Sequence, residues 1–249
     1  MKKSIVKTQW EEKKKGWKAS ILLATREGFK HLQLSPGRKF SFEITGERRC
    51  TGYAPAPGER AKCPGFRKLE KGSQCPECRG KDIYSGYVRG DTQNDLDGEF
   101  SVYLAQISGE VKVGVTRSKN VPKRWVEQGA DYAAEILEGL TSKVALENED
   151  RISSNGLTER VRKEKKTSQA SSPEKLRETI EEKELEGEIV DVNALTVYPN
   201  LEGDFRRKGL FEGELEAVKG QIVGNGRIAL ALTSGKVLDR PKQKGLNSF

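Results

Sequence analysis

Apolar and polar positions change their period several times along the chain. Over residues 1–49 they alternate in short stretches, and 19–24, 31–34 and 40–44 predict half-buried strands, because successive side chains of a strand face opposite sides. Gly28 and Pro36-Gly37 punctuate them as turns. Residues 99–155 predict strand, turn, strand, helix, helix. Two strands, 100–107 and 111–116, flank a turn at Ser108-Gly109-Glu110, and Pro122 suits the first turn of a helix through Arg124, Trp125 and Gln128. From Pro173 to Glu186, Leu176, Ile180 and Leu185 recur at near-helical spacing. Beyond residue 188, the stretches 188–192, 213–218, 220–223 and 228–232 predict strands, with Asn225-Gly226 as a hairpin turn.

These patterns predict an α+β chain of several parts. An N-terminal β segment (1–49) leads into a four-cysteine module (50–90). A small α/β core (91–158), a charged linker (159–187) and a C-terminal β module (188–249) follow. The first and last β segments are each too small to be stable alone and are expected to pack together.

Composition sharpens this picture. Apolar residues make up 34% and charged residues 33% of 249, which favours small modules with wet surfaces over one large core. No apolar run approaches the roughly 18 to 20 residues of a membrane helix, and Ile5-Val6 is followed by charges. Neither a membrane partner nor a secretory signal is expected, and the predicted location is cytoplasmic. The net charge of +8 is uneven. Residues 1–90 hold 21 Lys+Arg against 9 Asp+Glu, residues 91–158 hold 7 against 12, and residues 205–249 hold 9 against 4. Basic ends suit phosphate contacts, the main source of sequence-independent affinity for nucleic acid; a Lys-rich solvated surface is the alternative. Residues 156–188, with 8 Lys+Arg and 9 Asp+Glu, fit a solvated linker.

All four cysteines, Cys50, Cys63, Cys75 and Cys78, fall within 29 residues. Cys75-Pro-Glu-Cys78 is a C-x2-C knuckle, which presents two thiolates from one turn, and zinc takes four such ligands in a tetrahedron. Two disulfides or a redox pair are the rivals, but the clustering with none left over favours a structural zinc. Arg48, Arg49, Arg60, Lys62, Arg67, Lys68 and Arg79 surround the cluster, and Arg117 and Lys123 follow in the core; these are the candidate nucleic-acid contacts.

The core carries 102-VYLAQISGEVKVGVTR-117 followed by 120-NVPKRWVEQGA-130. This resembles the GIY-YIG nuclease superfamily and, more closely, a family of uncharacterised proteins that join a cysteine cluster to such a core. The resemblance covers roughly residues 45–155 and 197–245. It implies that Tyr103 matches the Tyr of the first motif, Gly114 the Gly of the second, and Arg124 the helix Arg that would clamp a scissile phosphate. Glu149 matches the Glu that would bind Mg²⁺ or Mn²⁺, with Glu147 as the alternative register. The departures are two: Ser101-Val-Tyr103 lacks the leading Gly, and Lys112-Val-Gly114 carries Lys in place of Tyr. Lys112 could act as base or bind phosphate.

The expected function is therefore zinc-containing nucleic-acid binding, on structured or ribosome-associated RNA or on DNA, with a degenerate GIY-YIG-like core. The alternatives are a Mg²⁺- or Mn²⁺-dependent endonuclease on the same core and a protein-docking adaptor. His31, the only histidine, is expected to be structural. Trp10, Trp17 and Trp125 could stack on bases but fit core packing better. Lys13-Lys14-Lys15 and Arg206-Arg207-Lys208 fit solvated surface.

Overall fold

The computed structural model describes residues 2–85, 97–154, 156–157, 161–170 and 172–241. The boundaries expected at 90/91 and 158/159 and the last eight residues lie outside the described ones.

The chain begins with β1 (Lys3–Lys13) and β2 (Gly16–Ala24), a hairpin turning at Lys14-Lys15. The basic triplet of the sequence is thus an exposed hairpin tip. β1 was not foreseen, because its second half, Glu11-Glu12-Lys13, reads as charged surface. Two further strands, β3 (Phe29–Gln33) and β4 (Lys39–Arg49), fall close to their expected positions. β5 (Lys68–Leu69) pairs with the end of β4, where the chain enters the cysteine module, and α1 (Pro76–Lys81) starts within the Cys75–Cys78 knuckle.

The core follows as β6 (Phe100–Ile107), β7 (Glu110–Arg117), α2 (Val121–Gln128), β8 (Tyr132–Leu140) and α3 (Ser142–Ser153). The expected pair of helices is thus split by a strand. β8 opens Tyr-Ala-Ala and carries two glutamates, so the local preference is weakly helical, but pairing along the buried β6 overrides it. Gly129 ends α2 in a left-handed conformation, φ 69°, and turns the chain towards β8.

The stretch expected as linker carries α4 (Glu174–Glu182), which packs Leu176 and Ile180 against the core rather than lying in solvent. The chain closes with β9 (Val190–Asp191), β10 (Asp204–Arg206), β11 (Gly209–Glu214), β12 (Ala217–Lys219), β13 (Ile222–Gly224), β14 (Ile228–Ala231) and β15 (Lys236–Asp239). The single strand expected over 213–218 is broken at Leu215-Glu216, and the turn after β13 does use Asn225, whose side chain accepts from the backbone of Arg227 and Ile228.

Three sheets result. The largest runs β11-β4-β15-β1-β2-β3 with β5 at the end of β4, so the first and last described strands pair in one antiparallel sheet. The second runs β10-β14-β13-β12, and the third β7-β6-β8-β9. β6 is buried along its whole length because both faces are covered. Tyr103, Ala105 and Ile107 face α2 and the large sheet, in a core shared with Trp10, Ile21 and Phe211. Val102 and Leu104 face α3 and α4. Trp10 is 2% exposed, with its indole N–H donating to the Gly220 carbonyl, and Trp125 is 5% exposed. Both are core residues, and Trp17 packs partly buried against the same core. Among the described residues no helix is long and apolar enough to cross a membrane.

Candidate functional site

The four cysteines come from separate pieces of chain. Cys50 leaves β4, Cys63 lies in the following loop, and Cys75 and Cys78 bracket the start of α1. All four are buried and free of disulfides, and their sulfurs lie within 4.8 Å of one another. Cys63 Sγ and Cys75 Sγ are 4.0 Å apart, against the edge of about 3.8 Å for a tetrahedron with Zn–S near 2.3 Å. The Cys75 N–H donates to Cys50 Sγ at 3.3 Å. Burial works against the Cys63 thiolate, yet backbone N–H groups of Arg67 and Gly65 and the neighbouring thiols hold it below the usual thiol range. Burial and the other three sulfurs push Cys78 up. A cation bound among such crowded sulfurs favours their thiolate forms, with the protons released to solvent. The donor set and its spacing are compatible with structural zinc.

The second cluster centres on Tyr103, which is fully buried. Its register partner on β7 is Gly114, and a Cβ at Gly114 would stand 2.5 Å from the Tyr103 hydroxyl and 2.6 Å from its ring carbon. Glycine is therefore what lets the phenol lie across the sheet. The hydroxyl accepts from the Gln128 amide of α2 and sits within electrostatic reach of Arg124 and Glu149. Burial, reinforced by Glu149, pushes the phenol up to about 12 against the pull of Arg124 and Gln128. Glu149 lies on α3 between Ala145 and Ile152, which are buried on the face towards the sheet, whereas Glu147 is exposed. The structure thus brings Tyr103, Gly114, Arg124 and Glu149 together and leaves Glu147 outside. Gln128 was not among the candidates, and its other amide atom, Oε1, is buried without a partner among the described residues.

A line of cations passes this cluster. Lys166, from the segment expected as linker, donates to the Gln128 carbonyl at 2.5 Å. Burial first, then Lys112, Lys163, Arg124 and Lys219, push Lys166 down to about 8. Lys163 is lowered by burial and by Lys236, Arg207 and Arg48. On the other side of Arg124, Lys7 is lowered by burial and by Arg60, Lys123 and Arg124, with Glu127 opposing. The acceptors of Lys166, Lys163 and Arg48 are neutral. Arg48 donates to the carbonyls of Gly72 and Ser234, at 2.8 and 3.0 Å, and Lys163 to the Thr233 hydroxyl at 3.3 Å. Carboxylates engage the others: Glu164 on Arg207 at 2.7 Å, Glu127 on Arg124 at 3.4 Å and, in a buried pair, Asp131 on Lys219.

The other basic candidates are mostly occupied. Arg49 pairs with Glu47 and lies over the Phe66 ring, Arg67 pairs with Glu77, and Arg79 lies 3.5 Å from the Gln74 carbonyl. Lys62 reaches the Glu27 carbonyl and Arg117 lies over Phe100 at the end of β7. Lys68 projects from β5 into solvent. Lys7, Lys163, Lys166 and Lys219 escaped the sequence reading because Lys163 and Lys166 sit in an aperiodic charged run and the other two are single lysines in strands.

A family model for DUF2797, described as a protein of unknown function, matches residues 37–224 of the 249. The chain belongs to the DUF2797 family. The matched span opens beside β4 and ends with β13, so it holds the four cysteines, the Tyr103 cluster and Lys163 and Lys166. The first three strands of this DUF2797 chain, and β14 and β15, lie outside the span. Neither the curated proteins nor the solved structures gave a match.

Proposed function

We propose that the protein binds nucleic acid, structured RNA or DNA, along the line of cations that passes Arg124. The cysteine module would be a zinc-stabilised buttress, and the β6–α3 unit a degenerate GIY-YIG-like scaffold. The observation that carries this reading is the Lys166 surroundings: several cations depress one another, and Lys166, Lys163 and Arg48 donate to carbonyls and a hydroxyl. Mutual repulsion of this sort costs stability unless a polyanion relieves it. Ribosome-associated RNA is one partner of the required chemistry.

A second reading is metal-dependent phosphodiester hydrolysis at the same place. What favours it is the convergence of Tyr103, Gly114, Arg124 and Glu149 on one hydroxyl. There Glu149 would hold a Mg²⁺ or Mn²⁺, which supplies charge stabilisation to the leaving oxygen. Arg124 would clamp the phosphate. Tyr103, buried and protonated up to about pH 12, orients groups rather than removing a proton at neutral pH. Lys112 and Lys166 are the nearer candidates for that task.

End-labelled hairpin RNA, single strands, duplex and branched DNA incubated with Mg²⁺, Mn²⁺ or EDTA separate the readings. Binding that persists in EDTA and in Glu149→Gln, without cleavage, is the expected result. Metal-dependent cleavage lost in Glu149→Gln would establish the second reading instead. No association at low salt with any substrate would overturn both and leave a protein-docking adaptor.

A further inference from the structure

The cysteine module does more than hold four sulfurs: its first loop leans over the outer face of the large sheet and encloses a cleft of about 310 Å³. The floor is a cross-strand row, Lys7 on β1, Leu22 on β2 and His31 on β3, which pair side by side. Arg60 and Glu59 form the loop wall, and the rings of Phe29 and Tyr84 stand at the edges. The volume is in the range of small-molecule sites.

Arg60 is the unusual member. Among the described residues its buried Nε has no hydrogen-bond partner, and neither Arg60 nor Lys7 makes an ion pair. Asp82 is close enough to act on Arg60, but its carboxylate is already taken by the backbone N–H groups of Ala54 and Tyr84, at 3.1 and 3.0 Å, and by the Gln74 amide at 2.6 Å. A buried guanidinium N–H left unmet costs free energy that an anion would recover, and guanidinium with ammonium is the donor set that phosphate prefers. Glu59 on the wall, Asp82 near Arg60 and Glu127 near Lys7 are acidic groups facing these two cations.

We propose that this cleft binds the phosphomonoester end of a nucleotide, free or at the terminus of a strand. Arg60 and Lys7 hold the phosphate, and Phe29 and Tyr84 offer ring faces to the base. Base–aromatic stacking tolerates any base, so the site would recognise the end group rather than a sequence. The choice of a nucleotide as ligand rests on the nucleic-acid reading; the phosphate site itself rests on Arg60 and Lys7.

His31 is the only histidine and lies on the cleft floor, so it is a built-in probe. The protein would be labelled at histidine and its ring signals followed by NMR. Ligands would be AMP, adenosine, inorganic phosphate, and a trinucleotide with either a 5′-phosphate or a 5′-hydroxyl. Saturable His31 shifts are expected with AMP and the phosphorylated trinucleotide, a weaker response with phosphate, and none with adenosine or the hydroxyl form. Arg60→Gln should weaken AMP binding about tenfold with the backbone amide spectrum otherwise intact. Lys7→Gln, on an exposed strand position, serves as the second variant and should act in the same direction. A silent His31 at about 1 mM AMP, or equal responses to AMP and adenosine, overturns the proposal. A silent His31 while hairpin RNA still binds removes the cleft and spares the nucleic-acid reading. A His31 response to AMP without RNA binding does the reverse.

Discussion

At Gly114 one missing methyl group decides whether Tyr103 can lie where it does. Gly114→Ala would place a Cβ against the phenol at 2.5 Å, and Tyr103 has no room to retreat because it is fully buried. Overpacking of this kind costs about 1–3 kcal/mol, to be read from urea unfolding, and it should also disturb the Gln128 contact. Lys166→Met should behave in the opposite way. It removes a cation that burial and its neighbours already disfavour, so the thermal midpoint is expected to stay level or rise, while affinity for a polyanion falls. The pH dependence of binding follows from the same residue. In the free protein Lys166 loses its proton near pH 8, below its ordinary range; phosphate beside it favours the charged form and raises that value. Binding therefore takes up a proton, is strongest below about pH 8 and weakens as pH rises beyond it. Affinity that climbs from pH 7 to 9 would contradict the placement of Lys166 at the ligand.

At the scale of elements, α4 and α3 carry the clearest consequences. Leu176 is fully buried on α4, whose first turn is fixed by the Gln106 amide oxygen accepting from the Leu176 N–H at 3.0 Å. Leu176→Ala is expected to cost about 2–5 kcal/mol in equilibrium unfolding. A value near zero would mean that α4 is the solvated linker its charges imply. α3 is capped by Thr141, whose hydroxyl accepts from the Val144 N–H at 3.3 Å, and Thr141→Ala should cost about 1 kcal/mol. What the sequence conveyed about elements depended on how local the signal was. The β6–β7 hairpin, with Ser108 at its turn and a continuous apolar run, and α2, with Pro122 in its first turn, were legible because turn chemistry and periodicity agree there. β1 and β8 were not, since charged or alanine-rich residues enter strands when a partner strand supplies the reason. The four cysteines cluster as their spacing suggested, and Tyr103, Gly114, Arg124 and Glu149, named through the resemblance, lie near one another. Gln128 and Lys166 matter through contacts that cross tens of residues and leave no local pattern, whereas Arg60 was named for its place beside the cysteines and not for its buried Nε.

At the scale of the whole molecule, the sheets share one core, and two features tie distant parts together. β15 lies between β4 and β1, so residues near the C-terminal end complete a sheet begun by the first strand. The Asp131–Lys219 ion pair is buried, with the carboxylate also accepting from Ser108 N–H at 2.7 Å and Ala170 N–H at 3.2 Å. Lys219→Met strips that carboxylate of its cation and should destabilise the fold by about 3–5 kcal/mol. The cations around Arg124 are proposed to meet a polyanion. The most direct test of this proposal is the salt dependence of binding, by fluorescence anisotropy with a labelled duplex and a structured RNA, for the wild type and for Lys163→Ala combined with Lys166→Ala. Each phosphate contact adds about 0.9 to the slope of log affinity against log salt on duplex DNA. The double variant is therefore expected to flatten the duplex slope by about 1.8 and to weaken binding to both ligands. Binding whose slope does not change in the double variant, or no binding by the wild type at low salt, would contradict the account.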